Sequence, residues 1–171
     1  HITQVPLTDA GRLDLDALAA AFAGPDRPTA YLLCSPHNPT GTLHTPEELS
    51  AVARLCRDAG VLLIVDEIHA PLVDPGYAFT PILALPDAQN AVVTFSAGKG
   101  WNLAAFKGGL YVRGTDAAAA FDRLPPLANQ STGQLATIAH TAALREAQGW
   151  VDEVMAEVAE NKRLLASLVA E

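Results

Sequence analysis

Short apolar runs alternate along the chain with stretches that have helical spacing. The runs, each of strand length, are ITQV (2–5), AYLLC (30–34), VLLIV (61–65), AVVTF (91–95) and GLYVR (109–113). The last three are apolar at nearly every position, which is typical of strands covered on both faces, as in a parallel sheet. The pattern therefore predicts five strands of a largely buried sheet.

The strongest helix signal lies between residues 45 and 60. Thr45-Pro46-Glu47-Glu48 reads as a capping box with proline at the first helical position, and Gly60 fits a helix C-cap. Helical spacing predicts that one face of this helix carries Leu49, Val52, Ala53 and Cys56.

Further helices are predicted at 14–23, 115–123, 134–147 and from Trp150 onward, and residues 71–90 form a long, proline-rich loop. Strands that alternate with helices are typical of an α/β fold. We expect a three-layer αβα arrangement, with a mostly parallel sheet and helices on both faces.

Composition narrows the range of functions. The chain has 171 residues, half of them hydrophobic, which suits about one domain with a sizeable core. The net charge is −8 and there is no basic cluster, which argues against nucleic acid or an anionic membrane surface as a partner. No apolar run approaches the ~20 residues needed to cross a bilayer.

Two cysteines, Cys34 and Cys56, lie in apolar surroundings and form no CxxC motif. We expect reduced core thiols in a cytoplasmic protein, and no metal site. The chain begins with HITQVPL, without an initiator methionine, and ends within a helical pattern. We therefore expect part of a larger protein.

Polar residues follow three of the predicted strands. SPHNPTG with Asn38 follows AYLLC, and DEIH with Asp66 and His69 follows VLLIV. SAGKGWN with Ser96 and Lys99 follows AVVTF. Ligands of open α/β sheets bind beyond the carboxyl ends of the strands. An amide, a carboxylate with an imidazole, and an amine are thus expected at one pocket.

Each of these segments also has a plainer interpretation. NPTG alone is typical of a turn, Glu67 could face solvent, and His69 alone is more often a structural histidine. Lys99 alone is most often a solvated lysine. The ordered combination at three strand ends favours a site over these separate explanations.

An amine that faces an acid across a pocket suits Schiff-base chemistry. A desolvated lysine with a lowered pKa attacks aldehydes, and a carboxylate opposite it would keep a heteroaromatic nitrogen protonated. Pyridoxal phosphate requires this arrangement, because its protonated ring stores the electrons of a substrate carbanion.

SPHNPTG, VDEIH and SAGKGWNLAAFKGG, in this order and spacing, resemble the fold-type I pyridoxal phosphate enzymes, and within them the class I/II aminotransferase group. DEIH and the K-x-x-N of KGWN most resemble the cystathionine β-lyase branch of C–S lyases. The resemblance covers nearly the whole chain.

The resemblance implies a role for each residue. Lys99 would bind the aldehyde of pyridoxal 5′-phosphate and move the substrate α-proton, and Asp66 would pair with the ring nitrogen. Asn38 and His69 would contact the ring's 3-oxygen, and Ser96 would bind the phosphate. The glycines beside Lys99 would let the cofactor approach the backbone.

Two departures from the family pattern stand out. Aminotransferases often have an arginine eight residues after the lysine, where this chain has Lys107, which is either a phosphate contact or a solvated lysine. Family members are also more than twice as long. Residues 1–149 would be the incomplete core of the large domain, and 150–171 the start of a connecting helix toward a small domain.

Three functions are open at this level. The resemblance favours a C–S β-lyase that converts cystathionine-like amino acids to thiol, pyruvate and ammonia. The alternatives are a class I/II aminotransferase and a non-catalytic, effector-sensing domain of a regulator. A nucleotide-binding domain is disfavoured, because no glycine-rich phosphate motif follows a predicted strand. The family implies a homodimer, and the alanine-rich stretch 132–147 suits either core or a subunit interface.

Overall fold

The structure, a computed structural model, describes residues 1–170. Its sheet has the strand order β1-β2-β3-β4, with β1 (Ala30–Cys34), β2 (Leu62–Asp66), β3 (Ala91–Phe95) and β4 (Leu110–Arg113). Strands β1, β2 and β3 are parallel, and β4 runs antiparallel to β3. The expectation of a mostly parallel sheet is confirmed.

Helices lie on both faces of the sheet, which confirms the αβα arrangement. They are α1 (Leu15–Ala23), α2 (Pro46–Ala59), α3 (Ala97–Gly100), α4 (Ala118–Phe121), α5 (Gln134–Glu146) and α6 (Gln148–Val169). Helices α1 and α2 pack on one face in the main core, and residues of α3, α5 and α6 form a smaller cluster. Helix α6 begins at Gln148, two residues before the predicted start.

Helix α2 forms as its sequence predicts. The Thr45 side chain accepts a hydrogen bond from Glu48 N, and the Glu48 carboxylate accepts one from Thr45 N at 2.8 Å, which completes the capping box. Gly60 ends the helix with φ +66°, in the left-handed region that favours glycine. The four apolar side chains predicted for one face are all buried.

The two faces of the sheet are not equally covered. In β2, Leu63 and Val65 are fully buried in the main core, while Leu62 and Ile64 on the opposite face are half-buried. The prediction that 109–113 is covered on both faces is wrong for the described chain. Strand β4 is an edge strand, and its Leu110, Tyr111 and Val112 are 48%, 54% and 47% exposed.

Two other predicted elements differ from the structure. Residues 2–5 form no strand, because they pair with no other strand in the described part of the chain. The helix predicted at 115–123 is a 3₁₀ turn, Thr115–Ala117, followed by the short α4. The proline-rich loop 71–90 also contains 3₁₀ turns, and one of them buries Ile82 in the main core.

Both cysteines are free, as expected, but only one is a core residue. Cys56 is fully buried, and burial raises the pKa of its thiol to about 12, which makes it unreactive. Cys34 is half-buried, and its Sγ donates a 3.2 Å hydrogen bond to the Pro36 carbonyl.

None of the helices within residues 1–170 combines the length and the apolar character that a membrane span requires.

Candidate active site

The carboxyl ends of β1, β2 and β3 lie side by side. Cys34 pairs in register with Asp66, and Asp66 pairs with Thr94. The segments that follow these three strands therefore leave the sheet at one edge. They carry Asn38, His69 and Lys99, so the backbone of these three segments leaves the sheet at the same edge.

Asp66 and His69 lie on the turn that follows β2. Asp66 is half-buried, and its Oδ1 accepts a 3.0 Å hydrogen bond from Ile68 N, which holds the carboxylate over the start of the turn. His69 is also half-buried, and its Nδ1 is buried without a hydrogen-bond partner among the described residues. A buried, unpartnered ring nitrogen is costly, and it leaves one position free to bind a ligand.

Asn38 lies on the loop after β1 with its side chain exposed. Backbone hydrogen bonds close this loop, from His37 N to Thr42 O at 2.9 Å and from Gly41 N to His37 O at 2.8 Å. These hydrogen bonds fix the loop backbone, which carries the exposed Asn38 side chain.

Ser96 and Lys99 lie where β3 passes into α3. Ser96 caps this helix, because its Oγ accepts from Gly98 N at 3.0 Å, and the same hydroxyl donates to Gly108 O at 2.8 Å. Lys99 is exposed and forms no ion pair with any residue in the described range. Lys107 is exposed too, and it is adjacent to the glycine that Ser96 binds.

The glycines beside Lys99 have protein neighbours. A Cβ on Gly100 would lie 2.8 Å from Pro71 Cβ, and one on Gly98 would lie 3.1 Å from Ser96 Oγ. The absence of a side chain at Gly100 thus allows α3 to pack closely against the turn that follows His69. Gly100 thus joins two parts of the site, and the approach of a cofactor to these glycines stays a prediction.

A cavity of about 510 Å³ adjoins this edge of the sheet. Asn38 and His69 line it, together with Leu72, Asp74, Tyr77 and Lys162. Its volume lies within the range of small-molecule sites. Four predicted site residues do not line this cavity: Asp66, Ser96, Lys99 and Lys107.

Glu67, for which the sequence indicates no role, lies on the buried side of this edge. Its side chain is 7% exposed, and its Oε1 accepts a 2.7 Å hydrogen bond from Ile82 N. Burial raises the pKa of the carboxyl, and the hydrogen bond from Ile82 opposes this change only in part. The suggestion that Glu67 faces solvent is therefore wrong. The alternation of side chains along β2 indicates that Glu67 is buried, because Glu67 continues the buried face of Leu63 and Val65.

The Asp74–Lys162 ion pair is a second feature that the sequence does not indicate. Lys162 on α6 donates to both carboxylate oxygens of Asp74 at 2.7 Å, across 88 positions of sequence.

Among the described residues, no group of three or more His, Cys, Asp or Glu side chains is arranged to hold a metal ion.

The chain is similar in sequence to curated proteins. The chain is 46% identical over 175 residues to the "Putative cystathionine beta-lyase" of Mycobacterium leprae, and the match covers 99% of this chain and 44% of that protein. The chain thus spans less than half the length of this curated relative.

Solved structures share the fold. A "putative plp-dependent beta-cystathionase" from Corynebacterium diphtheriae has a TM-score of 0.82 at 28% identity, over 91% of this chain and 41% of that one. N-Succinyldiaminopimelate aminotransferase from Mycobacterium tuberculosis has a TM-score of 0.80 at 30% identity, over 99% of this chain and 45% of that one.

The sequence profile of the family "Aminotransferase class I and II" matches residues 1–171. The chain belongs to the class I and II aminotransferase family.

Proposed function

We propose that the full-length protein is a pyridoxal 5′-phosphate-dependent C–S β-lyase, which converts cystathionine-like amino acids to thiol, pyruvate and ammonia. The observation that carries the proposal is that the three segments with Asn38, with Asp66 and His69, and with Lys99 leave adjacent parallel strands at the same edge of the sheet. The names of two relatives described above, a cystathionine beta-lyase and a beta-cystathionase, support the same activity.

The residues at this edge fit the cofactor. The unpartnered His69 Nδ1 and the exposed Asn38 amide offer hydrogen bonds to the ring's 3-oxygen. The Asp66 carboxylate suits a protonated pyridine nitrogen, because an anion beside that nitrogen favours its charged form.

The phosphate contacts need one local change. The Ser96 hydroxyl hydrogen is directed at Gly108 O, so Ser96 must turn from that carbonyl to donate to a phosphate oxygen. Lys107, next to Gly108, supplies a positive charge from the same segment. As a point charge without the fork of arginine, it would attract the phosphate without fixing its orientation.

Bound pyridoxal phosphate supplies an electron sink for a carbanion at the substrate α-carbon. Lys99 Nζ would hold the cofactor aldehyde, and the same amine would accept the substrate α-proton. Asp66 holds the proton on the ring nitrogen and so maintains the sink. His69 and Asn38 orient the ring through its 3-oxygen.

Two alternatives use the same residues. An aminotransferase would share proton removal by Lys99 and would pass the amino group to a 2-oxo acid, and N-succinyldiaminopimelate aminotransferase is one of the structures that share the fold. A lyase would release the β-thiolate instead. An effector-sensing domain would bind the cofactor and release no product.

The wider organisation is also part of the proposal. Residues 1–149 form the core of the cofactor-binding domain, and 150–171 begin a connecting helix, consistent with the unbroken α6. Exposed apolar side chains on α5, Leu135 and Ile138, support a homodimer with a contact in the 132–147 stretch. The two free cysteines accord with a cytoplasmic location.

Borohydride labelling of the full-length protein tests the proposal. We expect reduction in the presence of pyridoxal phosphate to modify Lys99, and peptide mass mapping to locate the label there. Lys99→Ala should lose the label and at least about 10²-fold in turnover. The matched variant Lys107→Ala should keep the label on Lys99. Full activity in Lys99→Ala would refute the assignment.

Product analysis separates the three functions. We expect cystathionine to yield pyruvate without an added 2-oxo acid. Amino transfer that requires a 2-oxo acid would instead identify an aminotransferase. A labelled Lys99 with neither product would identify a sensor domain.

A further inference from the structure

Glu67 connects three segments of the site through separate hydrogen bonds. Its backbone N donates to Thr94 O on β3 at 3.0 Å, and its carbonyl accepts from Ala70 N at 2.9 Å. Its buried side chain accepts from Ile82 N at 2.7 Å. One residue thus joins the end of β3, the turn that carries His69, and the proline-rich loop.

The turn that Glu67 holds also contacts the Lys99 segment. Pro71, which follows Ala70, packs where a side chain on Gly100 would collide with it. The proline-rich loop, Glu67, the Asp66–His69 turn and α3 therefore form one continuous set of contacts. A shift of the turn would move Asp66 and His69 relative to Lys99.

The carboxyl at position 67 makes a hydrogen bond that an apolar side chain could not make. The side chain lies on the face of the buried Leu63 and Val65, where an apolar residue would avoid the cost of desolvating a carboxyl. An apolar side chain would leave Ile82 N–H without an acceptor, in a part of the core where Ile82 itself is fully buried. The carboxyl is the group that satisfies this donor and ties the loop to the turn.

We propose that Glu67 is a positioning residue. By accepting from Ile82 N–H, it holds the turn so that Asp66 and His69 face the Lys99 segment in the correct register. This inference rests on the proposed function for the roles of Asp66, His69 and Lys99.

The test compares Glu67→Gln, which keeps an oxygen acceptor of the same length, with Glu67→Met, which has similar size and no comparable acceptor. Val52→Ala is the control, because it destabilises the main core through a fully buried position away from the turn. All variants are made in the full-length protein. Amide hydrogen exchange at Ile68 is measured without cofactor, followed by the Kd for pyridoxal phosphate, kcat and KM.

We expect Glu67→Met to accelerate Ile68 exchange about tenfold and to weaken cofactor binding about tenfold, the size expected when one buried hydrogen bond is lost. Its kcat should fall with little change in KM. Glu67→Gln should retain wild-type values, and Val52→Ala should lower Tm without either local effect.

Two results would overturn the inference. The first is a Glu67→Met protein that loses Tm like Val52→Ala and keeps wild-type Ile68 exchange and cofactor affinity. The second is a Glu67→Gln protein as impaired as Glu67→Met, since the acceptor would then not be the relevant group. If the methionine variant does not fold, Glu67→Asp replaces it, because its shorter side chain withdraws the carboxylate from Ile82 N.

The inference and the proposed function fail in different ways. If the wild-type protein binds no pyridoxal phosphate, the proposed function is wrong. If wild-type cofactor binding is normal and Ile68 exchange does not respond to Glu67→Met, the positioning role is wrong and the function stands.

Discussion

His44 shows how a single side chain can make stability depend on pH. It is 4% exposed, and neither ring nitrogen has a hydrogen-bond partner among the described residues. Burial is the largest cause and lowers its pKa, while the Glu48 carboxylate and the Cys34 backbone oppose this. Arg12 and His37 add to the lowering. The folded protein therefore binds a proton at His44 less readily than the unfolded chain does.

The sign of the effect follows from proton linkage. Below the ordinary histidine pKa of about 6.5, the unfolded chain gains a proton that the folded chain does not, so folding stability falls as pH decreases from there. His44→Met should remove this loss and make the protein more stable relative to wild type at pH 5 than at pH 8. Denaturant titrations at both pH values measure it.

Leu13→Met is the control for His44→Met, since it exchanges one buried core side chain for another without an ionisable group. It should keep the wild-type pH dependence. An unchanged pH dependence in His44→Met would show that His44 ionisation does not couple to folding.

At the residue scale, the sequence predicted which polar groups leave the sheet together. Asn38, Asp66 and Lys99 could be placed at one edge, because parallel strands that are linked in order end on the same side. The Glu67–Ile82 hydrogen bond and the Asp74–Lys162 pair could not be predicted. The first joins residues 15 positions apart and the second joins residues 88 positions apart. No local periodic pattern in the sequence indicates contacts over such separations.

Elements with local signals were predicted best. The boundaries of α2 follow from the capping box and from Gly60, which act within a single turn of helix. A strand depends on a partner that its own sequence does not specify. The run 2–5 therefore looks like a strand and pairs with none, and the apolar β4 lies at an exposed edge.

Alanine substitutions at two helix glycines should change the stability of the protein in opposite directions. A Cβ at Gly60 or at Gly149 would meet no atom within 4 Å, so backbone conformation alone decides the effect. Gly60 has φ +66°, and Gly60→Ala should destabilise the protein by about 1 kcal/mol. Gly149 lies within α6, and Gly149→Ala should stabilise by roughly 0.5–1 kcal/mol.

Chemical denaturation of the two glycine variants measures both changes, and each variant serves as the control for the other. Equal effects of the same sign would contradict the assignment of Gly60 to a left-handed cap.

At the scale of the whole molecule, the two faces of the sheet differ in how many apolar side chains they bury. The main core joins α1, α2 and three strands around large side chains such as Leu49, Leu63 and Ile82. The second cluster is smaller and centres on Trp101, Val151 and Met155. The far half of α6 is exposed, including Leu165 and Leu168. Local stability should therefore be lower on the α5–α6 side.

Hydrogen exchange on the 171-residue chain checks this difference. We expect amides of α2 and β2 to be protected at least about tenfold more than those of α6 beyond Glu160, since fraying segments open with little free energy. Met155→Ala should accelerate exchange mainly in α6, whereas Val52→Ala should accelerate it throughout the main core. Equal protection of α2 and α6 would show one uniformly cooperative unit.

The edge position of β4 has a consequence for handling the 171-residue chain. Its outer side presents unpaired N–H and C=O groups beside the exposed Leu110, Tyr111 and Val112. An apolar strand with a free edge can template the addition of the same strand from another copy. Concentrated solutions of the 171-residue chain should therefore tend toward fibrous aggregation, and a lysine introduced on β4 should delay its onset.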